Sequence, residues 1–192
     1  MTVTVRMART APEFEQFREL AVEYEESLDP ELRHAEFASE LVAFHEHYSA
    51  PNAALVAAVH GKPAGCVALC ELDGSIGLVK KIYVRPDFRN LGVARSLMTT
   101  LIDQARRRLY AELVLDTDRK RLSAAYALYH SIGFEECKPY GSVNYACPTF
   151  MELVSSCGEM RGGATRIEMT ISCGALGCKS FRREVEQITI PA

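Results

Sequence analysis

The sequence predicts an α/β protein with a central mixed β-sheet flanked by helices and a carboxyl-terminal appendage. Three observations carry that expectation. Between residues 53 and 84, three β-rich runs are separated by Gly61-Lys62 and Asp73-Gly74, which are hairpin signals. The third run passes through a loop into a helix-period segment and then another short apolar run, the order of a βαβ unit. Two amphipathic helices precede the hairpins and can cover the sheet.

Taken in order, Phe14, Phe17, Ala21, Tyr24 and Leu28 recur at three- and four-residue steps. They mark a helix begun by Thr10, Pro12 and Glu13. Phe37, Leu41, Phe44 and Tyr48 give the face of a second helix, ended by Pro51 and Asn52. Ala53–His60, Pro63–Leu72 and Ser75–Val84 follow as strands of an antiparallel meander. Val93, Ala94, Leu97, Met98, Leu101, Ile102, Ala105 and Leu109 share one helical face, which packs on a sheet. Glu112–Asp116 (ELVLD) reads as a short buried strand, joined beside the earlier one by a right-handed crossover. A helix over about Leu122–Ser131 stops at Gly133, and strand candidates lie at Val143–Ala146 and Thr149–Val154. The order is β-α-α-β-β-β-α-β-α-β-β. Beyond Val154 the chain is rich in Gly, Ser and Cys, so residues 1–154 read as the domain. Residues 155–192 read as an appendage with weak strands at Thr165–Ser172 and Glu184–Ile190.

Composition narrows the function classes. The chain has 192 residues, 48% hydrophobic and 24% charged, enough for one domain with a substantial core. No apolar run approaches the roughly 18 residues needed to cross a bilayer. The amino terminus turns acidic and helical too soon for a secretory signal, which points to a cytoplasmic protein without membrane partners. A net charge of -3 argues against broad nucleic-acid binding; Arg106, Arg107 and Arg108 read as a solvated helix end. Seven cysteines, an odd number without a C-x-x-C pair, argue against a disulfide framework or a zinc ribbon, so no metal is expected. Cys66 and Cys70 alternate along a strand and read as small core residues. Cys157, Cys173 and Cys178 could approach one another or be plain structural thiols.

Function concentrates in Ile82–Ala94, IYVRPDFRNLGVA. A strand ends at Pro86 and Asp87, a basic loop containing Gly92 follows, and a helix begins at Val93. The first N–H groups of a helix lack intrahelical partners and carry partial positive charge, so such a junction suits a phosphate. Gly92 keeps the backbone approachable and Arg89 adds a fixed charge. The same residues also suit a plain turn in which Gly92 caps and Arg89 is solvated. Neither G-x-x-x-x-G-K-[ST] nor G-x-G-x-x-G is present.

In RPDFRNLGVARSLM, the residues Arg89, Gly92 and Ala94 match [QR]-x-x-G-x-[GA], and AAYALYHSIGFEE places Leu128-Tyr129 before Ile132-Gly133-Phe134. On these two motifs the chain resembles the GNAT superfamily of acyl-CoA-dependent N-acetyltransferases over about residues 3 to 154. The resemblance implies a GNAT-like acyl-CoA N-acyltransferase fold, acetyl-CoA as co-substrate, no metal and a homodimer. It implies that main-chain N–H groups of Asn90, Leu91, Gly92, Val93, Ala94 and Arg95 hold the pyrophosphate, supplemented by Arg89. It further implies that the backbone of Ile82, Tyr83 and Val84 pairs with the pantetheine arm like an added strand and presents donors to the thioester carbonyl. Acyl transfer to an amine needs a neutral amine, a place for negative charge and a proton for the leaving thiolate. Tyr129 is in register with the family's general-acid tyrosine; from its residue type alone it is equally a core aromatic.

Two positions depart from the family pattern. Leu78 stands where many members carry a glutamate base, leaving Glu71, Asp73, His34, Glu25, Glu26 or a water chain to replace it. The asparagine near the start of the last helix is absent, and Ser123 either substitutes for it or simply opens the helix. Glu23, Glu25, Glu26, Asp29, Glu31 and Glu36 make YEESLDPELRHAEF acidic, which suits a cationic amine of a small molecule or peptide, or a solvated helix face. The expected activity is therefore direct acetyl transfer to a primary amine, since no Cys-His arrangement adjoins the loop, although Cys70 and Cys137 stay open. The alternatives are a non-catalytic acyl-CoA-binding regulatory module, and a main role for the appendage in oligomerisation, redox chemistry or metal binding.

Overall fold

The computed structural model describes residues 2–154. The expected tail strands and Cys157, Cys173 and Cys178 lie outside the described residues. A seven-stranded mixed sheet runs in the order β1-β2-β3-β4-β5-β7-β6. Its strands are β1 (Val3–Met7), β2 (Ala53–Val59), β3 (Lys62–Asp73), β4 (Ile76–Val84), β5 (Glu112–Thr117), β6 (Glu135–Glu136) and β7 (Thr149–Val154). β2, β3 and β4 are antiparallel neighbours, as the hairpin signals predict, and β1 pairs antiparallel with β2. β4 and β5 pair in parallel across α4 (Val93–Arg107), and β7 closes antiparallel on β5.

β2 is buried along its whole length because both faces of the sheet are covered. Ala53, Leu55, Ala57 and Val59 face a core built with Leu97, Met98 and Leu101 of α4 and Tyr129 of α5 (Ser123–Ile132). Ala54 and Val56 face the opposite core, with Phe14, Phe17 and Leu20 of α1 (Ala11–Ser27) and Phe37, Phe44 and Tyr48. This is the period-two alternation of a strand in a three-layer arrangement. Cys66 and Cys70 share the α1 side and are buried, as small core residues should be. α1 begins as its sequence requires: the Glu13 carboxylate accepts from the Thr10 N–H at 3.1 Å and the Arg9 N–H at 2.9 Å.

Two expectations are corrected. The second helix is not continuous: α2 (Phe37–Val42) and α3 (Phe44–Tyr48) break at Ala43, whose φ and ψ are -118° and 39°. The break brings the Tyr48 hydroxyl to Glu40 at 2.9 Å, whereas a straight helix would separate those positions by about 12 Å along its axis. Val143–Ala146 is not a strand; the two-residue β6 pairs with β7 instead, through Glu135↔Glu152 and Glu136↔Met151. Side chains explain the difference. Tyr140 and Tyr145 donate to Asp116, and the Asn144 amide donates to the Arg33 carbonyl, so the segment crosses to other elements rather than following β7.

Candidate active site

The site begins with a fault in the sheet. β4 and β5 pair only at Ile76↔Glu112, Gly77↔Leu113 and Leu78↔Val114. Beyond that point each strand keeps its outer partner, β4 with β3 as far as Val84↔Gly65 and β5 with β7 as far as Thr117↔Thr149. The inner edges of Val79–Val84 and Leu115–Thr117 therefore diverge and leave a gap with no ladder between them. A bulge opens it: between the pairs Ala68↔Lys80 and Cys66↔Tyr83 the partner strand has one residue and β4 has two, and Lys81 takes φ 57°. Ile82, Tyr83 and Val84 lie on this unpaired stretch, which ends directly at the loop before α4.

The loop between β4 and α4 turns through left-handed backbone. Asn90 has φ 59° and Gly92 φ 76°, so two left-handed residues precede the helix, and a Cβ at Gly92 would meet nothing within 4 Å. Gly92 caps α4 without a side-chain hydrogen bond, which leaves the first N–H groups of Val93, Ala94 and Arg95 without a capping side chain. Asn90, Leu91, Gly92 and Arg95 are exposed. Arg89 is exposed and its Nε donates to the Val84 carbonyl at 3.2 Å, tying the loop back to the end of β4. The Arg95 guanidinium donates to Ser131 Oγ at 2.7 Å and so joins α4 to α5. Ser123 is exposed at the first position of α5.

Tyr129 is buried at 4% exposure, packed on Phe134 at 5.9 Å between ring centroids, and its hydroxyl has no hydrogen-bond partner among the described residues. Burial above all, with nearby Tyr24 and the Asp116 charge, raises its pKa, so the phenol keeps its proton. Asp116 sits on the diverging part of β5 and accepts from Tyr140 at 3.1 Å and Tyr145 at 2.7 Å. Tyr24 of α1 stands across from it, 6.2 Å from the Tyr83 ring and 6.3 Å from His34. Tyr140 and Tyr145 thus meet on one carboxylate, whose charge also acts on Tyr24 and Tyr129. A signal for this existed in the sequence: an aspartate at the carboxyl end of a buried strand, and two tyrosines in the segment before the next one.

Among the candidates to replace a base at Leu78, the structure separates the residues clearly. Leu78 is half-buried on β4. Glu71 is exposed on β3 opposite Gly77, one pair from Leu78, and accepts from Tyr110 at 3.2 Å, and Asp73 ends that strand. Glu25 and His34 come together: Glu25 Oε2 lies 2.9 Å from His34 Nδ1, and Oε1 accepts the His34 backbone N–H. Burial, which alone would raise it, is outweighed for Glu25 by the His34 hydrogen bonds and the His34 and Lys81 charges, so its pKa is lowered. Lys81 is enclosed, with Nζ 3.3 Å from Glu40, 3.6 Å from Glu25 and 4.4 Å from the Phe37 ring centre.

The acidic segment is largely neutralised by such pairs. Glu23 takes Arg85 Nη2 at 2.6 Å, while Asp29 and Glu31 both meet Arg121. Arg121 thereby links the α1–α2 connection to the start of α5.

Among the described residues, no helix is long and apolar enough to cross a membrane, and no group of three or more His, Cys, Asp or Glu could hold a metal ion. The sequence matches the model of the Acetyltransferase (GNAT) family over residues 14–134, more than half of the chain. A Schizosaccharomyces pombe protein described as an uncharacterized N-acetyltransferase is 28% identical over 141 residues, 72% of this chain and 86% of the relative. The ribosomal-protein-S18-alanine N-acetyltransferase of Escherichia coli superposes with a TM-score of 0.63 at 21% identity, covering 84% of this chain and 100% of that one. A phosphinothricin acetyltransferase of Sinorhizobium meliloti, solved in complex with acetyl-CoA, gives 0.63 at 18% identity over 80% of this chain and 89% of its own; these two likenesses show the fold. By the family match and the shared architecture, the chain belongs to the GNAT family of acetyltransferases.

Proposed function

We propose that this protein transfers the acetyl group of acetyl-CoA to a primary amine of a small molecule or peptide by direct attack. The observation that carries the reading is the β4–β5 gap, which opens after three paired positions and whose β4 edge runs straight into the Gly92 loop. The residues fit the co-substrate: an unpaired strand edge at Ile82, Tyr83 and Val84 can pair with an amide-bearing arm, and open space over Gly92 admits a diphosphate. When bound, acetyl-CoA supplies an acyl group activated as a thioester.

The N–H groups from Asn90 to Arg95 bind and orient the diphosphate, Arg89 adds charge, and Ser123 stands at the start of α5 for a further hydrogen bond. Backbone donors on the free edge of β4 stabilise negative charge on the carbonyl oxygen. Tyr129 Oη holds the proton that the departing sulfur requires. Direct transfer is favoured over a cysteine-bound acyl group because burial raises the pKa of the Cys66 thiol and pushes that of Cys70 to about 11, so neither is a ready thiolate.

A second reading, a non-catalytic acyl-CoA-binding module, has Leu78 in its favour. Free-thiol release from acetyl-CoA, measured with and without a panel of primary amines, separates the two. Amine-dependent release supports the enzyme, and its absence with every amine supports the module. The resemblance adds a homodimer as an expectation, which gel filtration of the full chain tests.

A further inference from the structure

A cationic amine cannot attack a carbonyl until it has lost a proton, and Leu78, which ends the paired part of β4, cannot accept one. The proton must go elsewhere. Lys81 is too enclosed to receive it, with no exposed side-chain surface. Glu25 is 9% exposed, and both of its oxygens are engaged by His34. His34 differs: its side chain is 27% exposed, its Nδ1 is held by Glu25, and Nε2 has no partner among the described residues.

The surroundings place the His34 ring next to elements that border the gap. Tyr24 packs against both the His34 ring and Tyr83 on the unpaired stretch of β4. The residue before His34 accepts from Asn144 at 3.2 Å, in the same β6–β7 connection whose Tyr145 bonds Asp116 on β5. His34 is thus bracketed by elements that border both sides of the divergence.

We infer that His34 is the base that deprotonates the acceptor amine, with Glu25 as the residue that positions its ring. This rests on the acetyl-transfer reading. An ionised Glu25 accepts from Nδ1–H and so fixes the tautomer that leaves a lone pair on Nε2. The substrate ammonium gives one proton to Nε2, which passes it to solvent. The freed nitrogen pair forms the C–N bond, the C–S bond breaks with its electrons on sulfur, and sulfur takes the Tyr129 Oη proton. The second proton lost by nitrogen as the amide forms restores Tyr129. The pair does not act in isolation, because Tyr24 on α1 packs on the His34 ring and Lys81 on β4 lies 3.6 Å from Glu25.

The test compares the full-length chain with His34→Asn, His34→Gln and Glu25→Gln in acetyl-CoA thiol release. Spermidine, lysine, 2-phenylethylamine and an alanine-initiated peptide serve as amines, between about pH 6 and pH 9. His34→Asn keeps a donor for Glu25, so folding survives the loss of the base. The inference predicts that both His34 variants lose about 100-fold or more in kcat/KM near neutral pH, recover toward alkaline pH as the neutral fraction of the amine rises, and keep the acetyl-CoA KM. Glu25→Gln, which keeps an acceptor for Nδ1–H, should lose less in kcat/KM and keep the acetyl-CoA KM. Activity within twofold of the parent at every pH, or a loss of equal size at every pH, overturns the role of His34 while leaving acetyl transfer standing. A parent chain that releases no thiol with any amine overturns the transfer reading and the base together.

Discussion

Replacing Tyr129 by Phe should separate activity from stability, with opposite signs. The ring is buried and packed on Phe134, and Phe preserves that contact. The hydroxyl has no protein partner among the described residues, so its removal breaks no hydrogen bond. A buried hydroxyl left unsatisfied costs about 1–3 kcal/mol, and the slight residual exposure lets water recover part of that. Tyr129→Phe should therefore leave stability unchanged or raise it by up to about 1 kcal/mol, a rise of about 2–4 °C in Tm. Turnover should fall by about 100-fold or more, because the leaving sulfur loses its proton source. Urea unfolding and amine-dependent thiol release on the same preparation measure both. A variant destabilised by more than about 1 kcal/mol with turnover intact would show that the hydroxyl is an ordinary structural group with an unrecognised partner, and the assignment of Tyr129 as acid would fail.

Three other perturbations have definite expectations. Gly92→Glu places a carboxylate against the diphosphate at a left-handed φ of 76°; with a few ångströms between like charges, about 1–4 kcal/mol of affinity should vanish, at least about fivefold in the acetyl-CoA Kd by calorimetry. Gly65→Ala sets a Cβ 2.4 Å from the Tyr83 carbonyl oxygen, so denaturant unfolding should show a loss of about 2 kcal/mol or more, and unchanged stability would refute the close approach of β3 to β4 there. Glu40 has its pKa lowered to about 2, because the charges of Lys80 and Lys81 and hydrogen bonds from Lys80 and Tyr48 outweigh burial, which by itself raises it. Its stabilising effect, about 3 kcal/mol, is complete above about pH 4.5 and is lost as pH falls toward 2, so the gap between parent and Glu40→Gln in urea should close over that range.

What the sequence revealed and concealed follows from the range of the interactions. The Gly92 loop was legible because its conformation is set by its own residues: an asparagine and a glycine can occupy left-handed backbone, and Val93 onward is helical by period. The meander was legible because Gly61 and Asp73-Gly74 mark its turns. The gap between β4 and β5 was not, since it depends on where a bulge at Lys81 falls in a register between strands far apart in the chain. Glu25 and His34 are joined across the turn after α1, and nothing local in YEESLDPELRHAEF distinguishes that pair from its other carboxylates. The same limit explains Val143–Ala146, whose neighbours Tyr140 and Tyr145 are drawn to Asp116 from 24 and 29 residues away.

The central claim is that the main chain after Pro86 grips a diphosphate and so lays an acyl-bearing arm along the open edge of β4. Calorimetric titration of CoA and acetyl-CoA into the full chain tests it most directly. Saturable heat with both ligands, weakened at least about fivefold by Gly92→Glu in a variant that still unfolds cooperatively, is the expected result. No heat with either ligand, or equal affinity in parent and variant, would contradict the account.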